Sequence, residues 1–294
     1  MPSSPDRDEY FLDPRVVRRA FDRASATFDA NAAVHTELRN RLLERLDVVR
    51  LQPKVVLDLG AGTGHGARAL QDRYRSAYVA AADLSVAMLA QARRQQRFLK
   101  RFGRVACDAH ALSFKSASID LAFSNLMLQW CADPDRVFGE LARVLTRGGL
   151  LMFTTLGPDT LRELRTAWGE ASNVHVHRFI DMHDLGDALM RAGFAEPVMD
   201  TERLTITYRD FASLLGELRG SGSTNVALGR GRGLGSRASQ RAARERFEAT
   251  RTNAVLPVTL EVVYGHAWAT GVPKRSRGDQ DFAVPVTSIG RRQR

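Results

Sequence analysis

Residues 55–64, Val55-Val56-Leu57-Asp58-Leu59-Gly60-Ala61-Gly62-Thr63-Gly64, constrain the fold more than any other stretch. An apolar run closes on an aspartate, passes into three alternating glycines, and is followed by an amphipathic segment. That order reads as strand, tight turn and helix. Glycine removes the Cβ where a backbone must turn sharply and approach a ligand. The helix that opens there presents unpaired N–H groups at its start.

The same texture repeats downstream. Apolar runs at 55–60, 78–83, 105–109, 119–125 and 150–155 alternate with helical patterns at 64–74, 86–101 and 134–146. Strands alternating with helices imply a parallel sheet covered on both faces, an α/β fold. Gly148-Gly149 is expected to end the helix that contains Leu141 and Leu145. Helices are predicted at 159–170 and 181–191, the second stopped by Gly193, and further strands at 203–208 and 258–268. Residues 14–50 read as helical, through Val17, Phe21, Phe28, Leu38, Leu42, Leu43 and Leu46. The organisation predicted is an N-terminal helical lid (1–50), an α/β core (51–208), a partly helical insertion (209–257), a last core strand (258–270) and a loosely held tail (271–294).

Composition narrows the setting. At 44% hydrophobic and 26% charged residues, the chain excludes disordered and collagen-like classes. Two cysteines, Cys107 and Cys131, are too few for a disulfide framework and fit a reduced, cytoplasmic compartment. No apolar stretch reaches membrane-span length, and MPSSPDRDEY lacks the apolar core of a signal peptide. The net charge is +10, and all but four of the 43 basic residues are arginine. Such an excess suits an acidic partner, and an arginine-preferring genome gives the same number.

The glycines leave the ligand open. A strict dinucleotide pattern anchored on Gly60 needs glycine at 65, where His65 stands, yet Gly62-x-Gly64-x-x-Ala67 survives as a looser match. Two features argue against a pyrophosphate: Asp58 inside the strand, where a carboxylate meets a cationic or amino group, and a loop without a basic side chain. Asp83 closes the next strand about 20 residues on, the spacing of a carboxylate that bonds ribose hydroxyls. Cys107-Asp108-Ala109 is expected to end the third strand, with Asp108 near an adenine amino group, and Ser124-Asn125-Leu126 ends the fourth.

This constellation resembles the class I S-adenosylmethionine-dependent methyltransferases over residues 50–208. The resemblance implies a Rossmann-like, seven-stranded, mostly parallel sheet and S-adenosyl-L-methionine as cofactor. It implies a binding set of Asp58, Gly60, Gly62, Gly64, Asp83, Leu84, Met88, Asp108, Ala109, Asn125 and Phe28, and a stretch Arg143 to Gly149 leading into the fifth strand. Further stretches resemble the malonyl-[acyl-carrier protein] O-methyltransferases of biotin synthesis: Phe21-Asp22-Arg23-Ala24, Thr27-Phe28-Asp29, Gly157-Pro158-Asp159-Thr160-Leu161, Asp181 to Asp187, Leu256 to Thr259 and Glu261 to Trp268. This match implies methylation of the free carboxylate of an acidic carrier protein's malonyl thioester. The family often has tyrosine where Phe28 stands. A relative that assembles a mitochondrial respiratory complex, described as an arginine hydroxylase, shares some of these stretches.

The chemistry needs little from the protein. A carboxylate is ionised at pH 7 and attacks a sulfonium methyl without a general base, so no catalytic triad is expected. An arginine clamp on the carboxylate is expected from Arg162 or Arg165, after the Gly157-Pro158 loop, and His183 is a candidate at the substrate entrance. His175, His177 and His183 are read as surface or helix-end residues, not as a metal site. Trp130 and Trp168 are expected in packing, and Phe21 with Phe28 in an aromatic lid. The insertion's Arg219, Arg230, Arg232, Arg237, Arg241, Arg244, Arg246 and Arg251 form a candidate docking face for an acidic carrier protein. No basic run interleaved with aromatics favours nucleic acid.

Overall fold

The computed structural model describes residues 11–98, 100–169, 176, 178–227 and 237–271. His175, His177, Arg230, Arg232, the side chain of Arg237 and the tail beyond 271 lie outside them.

Seven strands form one sheet: β1 (Val55–Leu59), β2 (Tyr78–Asp83), β3 (Gly103–Ala106), β4 (Ile119–Asn125), β5 (Leu145–Leu156), β6 (Phe194–Tyr208) and β7 (Leu256–Ala269). Their order is β3-β2-β1-β4-β5-β7-β6. The first five pair in parallel, and β7 runs antiparallel between β5 and β6. The predicted mostly parallel α/β sheet is therefore what the chain builds. The strand order reverses between β1 and β4, and the crevice outside the carboxyl ends at such a reversal is where open α/β sheets take ligands.

Nine α-helices occur among the described residues: α1 (Pro14–Ala24), α2 (Ala33–Arg45), α3 (His65–Arg73), α4 (Val86–Gln95), α5 (Pro134–Val144), α6 (Arg162–Trp168), α7 (Met182–Ala192), α8 (Phe211–Gly220) and α9 (Arg237–Glu248). Their starts follow from sequence. Asp13, Ser85, Asp133, Asp181 and Asp210 each accept a backbone N–H two or three residues on, and Pro14 and Pro134 occupy first-turn positions. Gly193, at φ +91°, closes α7 as expected. Helices α5 and α7 bury Phe138, Leu141, Leu185 and Leu189 on one face of the sheet. Helices α2, α3 and α4 bury Leu38, Leu42, Leu70 and Leu89 on the other.

Several expectations are corrected. The helical stretch 14–50 is two helices with a break at 25–32. There the hydroxyls of Ser25 and Thr27 donate to Asp22 O and Ala24 O, and the Asn31 amide to Thr27 O, so side chains compete with the helix for its own carbonyls. The third strand ends at Ala106, so Asp108 sits in a turn beyond it. Its Oδ1 accepts the His110 N–H at 2.9 Å, a local bond that favours a turn over a ladder. The helix predicted to 101 stops at Gln95, because Gln96 turns extended. Leu145 belongs to β5, not to the helix, and Gly148-Gly149 lie inside that strand. Ile119 pairs Leu145 but Leu121 pairs Leu150, so the glycines absorb an irregularity in the ladder. Strand β6 begins at Phe194, nine residues before the predicted start. No helix among the described residues is long and apolar enough to cross a membrane.

Candidate cofactor and acceptor site

Three cavities meet at the carboxyl ends of β1 and β4. The first, of about 750 Å³, has Asp83, Leu84 and Met88 on one side, Asp108 and Ala109 on another, and Phe21, Phe28 and Trp130 as an aromatic cover. Gly60, Gly62 and Asn125 also line it, so nine of the eleven predicted cofactor residues gather here. Gly62 shows why the loop is glycine. Its φ is +52°, its N–H donates to Asp83 Oδ2 at 2.8 Å, and a Cβ there would meet nothing nearer than the Phe28 ring at 3.9 Å, so this face is left for a ligand. The Ser85 N–H donates to Asp83 Oδ1 at 2.7 Å. These two bonds fix the carboxylate at the sheet edge, and burial still pushes its pKa above the usual range.

The second cavity, of about 770 Å³, is the most polar of the three. Asp58, Thr63, His65, Thr36 and Arg39 line it. Asp58 is 3% exposed, and its Oδ2 has no hydrogen-bond partner. Burial is the main reason its pKa rises to about 7; the charge of Asp83 adds to this, while a bond from Ala67 N–H and the Arg39 charge oppose it. Arg39 makes no ion pair among the described residues, and its guanidinium donates only a long bond, 3.4 Å, to Asn40. A buried carboxylate with one oxygen unpartnered and a guanidinium without an ion pair among the described residues thus line one chamber. Such a pair suits a zwitterion with an ammonium and a carboxylate. Gly64, φ +85°, lines neither cavity. A Cβ there would lie 2.9 Å from Ala92 and Phe102, so its part is to seat α3.

The third cavity, of about 720 Å³, lies between α2, α8 and β7. Leu156, Phe179, Ile206, Leu214, Val258 and Leu260 make it apolar, with Tyr208 and Glu217 in its wall, both raised in pKa chiefly by burial. It shares the wall residues His35, Leu126 and Trp130 with the first cavity. No lysine or arginine lines it among the described residues.

The expected clamp residues are elsewhere. Arg162 is exposed and pairs with Glu163 at 3.2 Å. Arg165 donates to the carbonyls of Pro158 and Thr160. His183 is 83% exposed, with its ring 2.8 Å from Asp181 at the start of α7. None of the three lines a cavity described above. Trp168 packs against the hydrophobic cluster that holds Leu164 and Phe247, whereas Trp130 meets Phe21 edge-on at 5.1 Å in the cover. Sequence reasoning missed His35, Thr36 and Arg39.

Residues 57–153 match the model of a methyltransferase domain family. A malonyl-[acyl-carrier protein] O-methyltransferase of Methylovorus sp. (strain MP688) is 48% identical over 268 residues, covering 89% of this chain and 90% of that one. The enzyme of that name from Halorhodospira halophila is 44% identical over 291 residues, 98% of this chain and 99% of its own. The chain belongs to the malonyl-[acyl-carrier protein] O-methyltransferase family. The YcgJ protein of Bacillus subtilis shares the fold, with a TM-score of 0.56 at 13% identity over 78% of this chain and 97% of that one.

This methyltransferase uses S-adenosylmethionine. The residues present fit that group. The orphaned Asp58 Oδ2 and Arg39, which makes no ion pair among the described residues, suit its amino-acid end, and the carboxylates of Asp83 and Asp108 suit hydroxyl and amino donors.

Proposed function

We propose that the chain methylates the free carboxylate of a malonyl thioester carried on acyl-carrier protein. The observation that carries this reading is the apolar third cavity, which shares the wall of His35, Leu126 and Trp130 with the cofactor chamber and has no lysine or arginine among its described lining residues. Bound S-adenosylmethionine supplies an electrophilic sulfonium methyl, and the carboxylate supplies the electron pair, so no proton has to move. Asp83 then bonds the ribose hydroxyls, Asp108 the adenine amino group, Asp58 the ammonium and Arg39 the carboxylate. The apolar chamber strips water from the acceptor carboxylate and raises its reactivity. Phe21, Phe28 and α1 close over the cofactor as a lid.

Arg219 and Arg244, with Arg241 through its pair with Glu245 at 2.8 Å, are the exposed docking candidates that hold no backbone carbonyl among the described residues. Arg246 and Arg251 instead donate to the carbonyls of Ala167 and Ala254. A carrier-protein substrate supports a cytoplasmic setting. The test is incubation with labelled methyl donor and malonyl carrier protein. A base-labile methyl ester is the expected product, and a protein that binds the donor yet never forms the ester overturns the assignment.

A further inference from the structure

One side chain borders all three cavities. Among the described residues only His35, on α2, lines the chamber of Asp83 and Asp108, the chamber of Asp58 and Arg39, and the apolar acceptor cavity. His35 therefore stands in the wall that each of the three cavities shares with the others. The residue is held firmly there. Its carbonyl accepts the Asn125 amide at 3.0 Å, which ties α2 to the end of β4. Its ring meets Phe28 edge-on at 5.1 Å.

We propose that the His35 imidazole donates the hydrogen bond that holds the acceptor carboxylate where the three cavities meet. This role rests on the carboxyl methylation read above. His35 Nδ1 is buried without a partner, and Nε2 makes no hydrogen bond among the described residues. With Nδ1 sealed, the proton belongs on Nε2, the nitrogen free to meet a ligand. Burial, and then the charge of Arg39, lower the ring's pKa to about 4, so it is uncharged at neutral pH.

An uncharged donor suits this reaction better than an arginine. A carboxylate anion and a sulfonium cation become a neutral ester and a neutral thioether, so charge disappears on the way to the transition state. A full cation on the carboxylate would stabilise the reactant more than the transition state and slow the step. A neutral N–H fixes the oxygen and withdraws less of its charge. The same argument explains why the acceptor cavity works without a basic lining.

The test compares wild type with H35Q, which keeps an N–H donor, and H35L, which does not. Circular dichroism checks that all three proteins fold, and calorimetry with S-adenosylhomocysteine gives the concentration that saturates each, so a change in cofactor affinity beside His35 does not enter the acceptor measurement. With S-adenosylhomocysteine bound, malonyl-pantetheine should bind H35L about 10- to 100-fold more weakly than wild type, the loss expected for one hydrogen bond to a charged group. H35Q should recover most of that loss, and turnover on malonyl carrier protein should follow the same order. Acetyl-pantetheine, without the carboxylate, should bind all three alike. Equal malonyl-pantetheine binding by wild type and H35L would overturn the role of His35. A wild type that binds the donor but forms no malonyl ester would instead remove the underlying substrate reading, and this role with it.

Discussion

Replacing Asp58 by asparagine should separate stability from cofactor binding. The Asp58 carboxyl is buried, Oδ2 has no partner, and its pKa stands at about 7 against an ordinary 3.8. The native state therefore holds a proton between about pH 4 and pH 7 that the unfolded chain has released. Stability falls as pH rises through that window, because the native state binds more protons than the unfolded one. Three pH units at 1.36 kcal/mol each put the cost at about 4 kcal/mol above pH 7, an upper bound. Asparagine keeps the shape and removes the ionisation. Asp58→Asn should thus raise stability by about 1.6 kcal/mol at pH 5, where the unfolded carboxyl has already ionised, and by up to about 4 kcal/mol at pH 8. Affinity for S-adenosylmethionine should move the other way, with a loss of about 1.5–3 kcal/mol for one charged hydrogen bond. Urea denaturation of both unliganded proteins at pH 5 and pH 8, with calorimetric titration of the cofactor, measures the two effects. Identical pH dependence of stability in wild type and variant would refute the reasoning, since no anomalous proton would then sit on Asp58.

Three further outcomes are expected. Asp83→Ala should weaken cofactor binding by about 2–5 kcal/mol, read by calorimetry, with the far-ultraviolet dichroism of the sheet retained. Arg241→Glu combined with Arg244→Glu should raise the KM for malonyl carrier protein but not for malonyl-coenzyme A, and added salt should shrink the difference; equal changes for both substrates would count against docking on α9. Gly60→Ala should destabilise the fold by roughly 1–3 kcal/mol in thermal melts, because the residue has φ +75° and its Cβ would lie 2.5 Å from the Met127 side chain.

The cofactor half of the site was legible in the sequence because its signals are local. Gly60, Gly62, Asp83, Asp108 and Asn125 all sit at or just past strand ends, and alternation of strand and helix alone places those ends on one edge. The acceptor half depends on how helices dock, and local spacing is silent there. Arg162 and Arg165 follow the fifth strand at a suitable distance, but Leu161 enters α6 at φ +58° and the helix turns Leu164 and Ala167 inward. The arginines then serve Glu163 and the carbonyls of the Gly157-Pro158 loop. His35 did carry a signal. It stands at the head of the ladder Leu38, Leu42, Leu46, so it shares the buried face of α2, where a polar side chain needs a reason to be. The +10 charge was the least legible feature, because a count of arginines does not say what each one binds. Arg143 alone serves Glu140 and the carbonyls of Leu112 and Phe114, and Arg41 bridges Glu37 and Glu202. A chain can thus be strongly basic because its arginines brace loops and strand edges, and only those left exposed, such as Arg219 and Arg244, bear on an acidic partner.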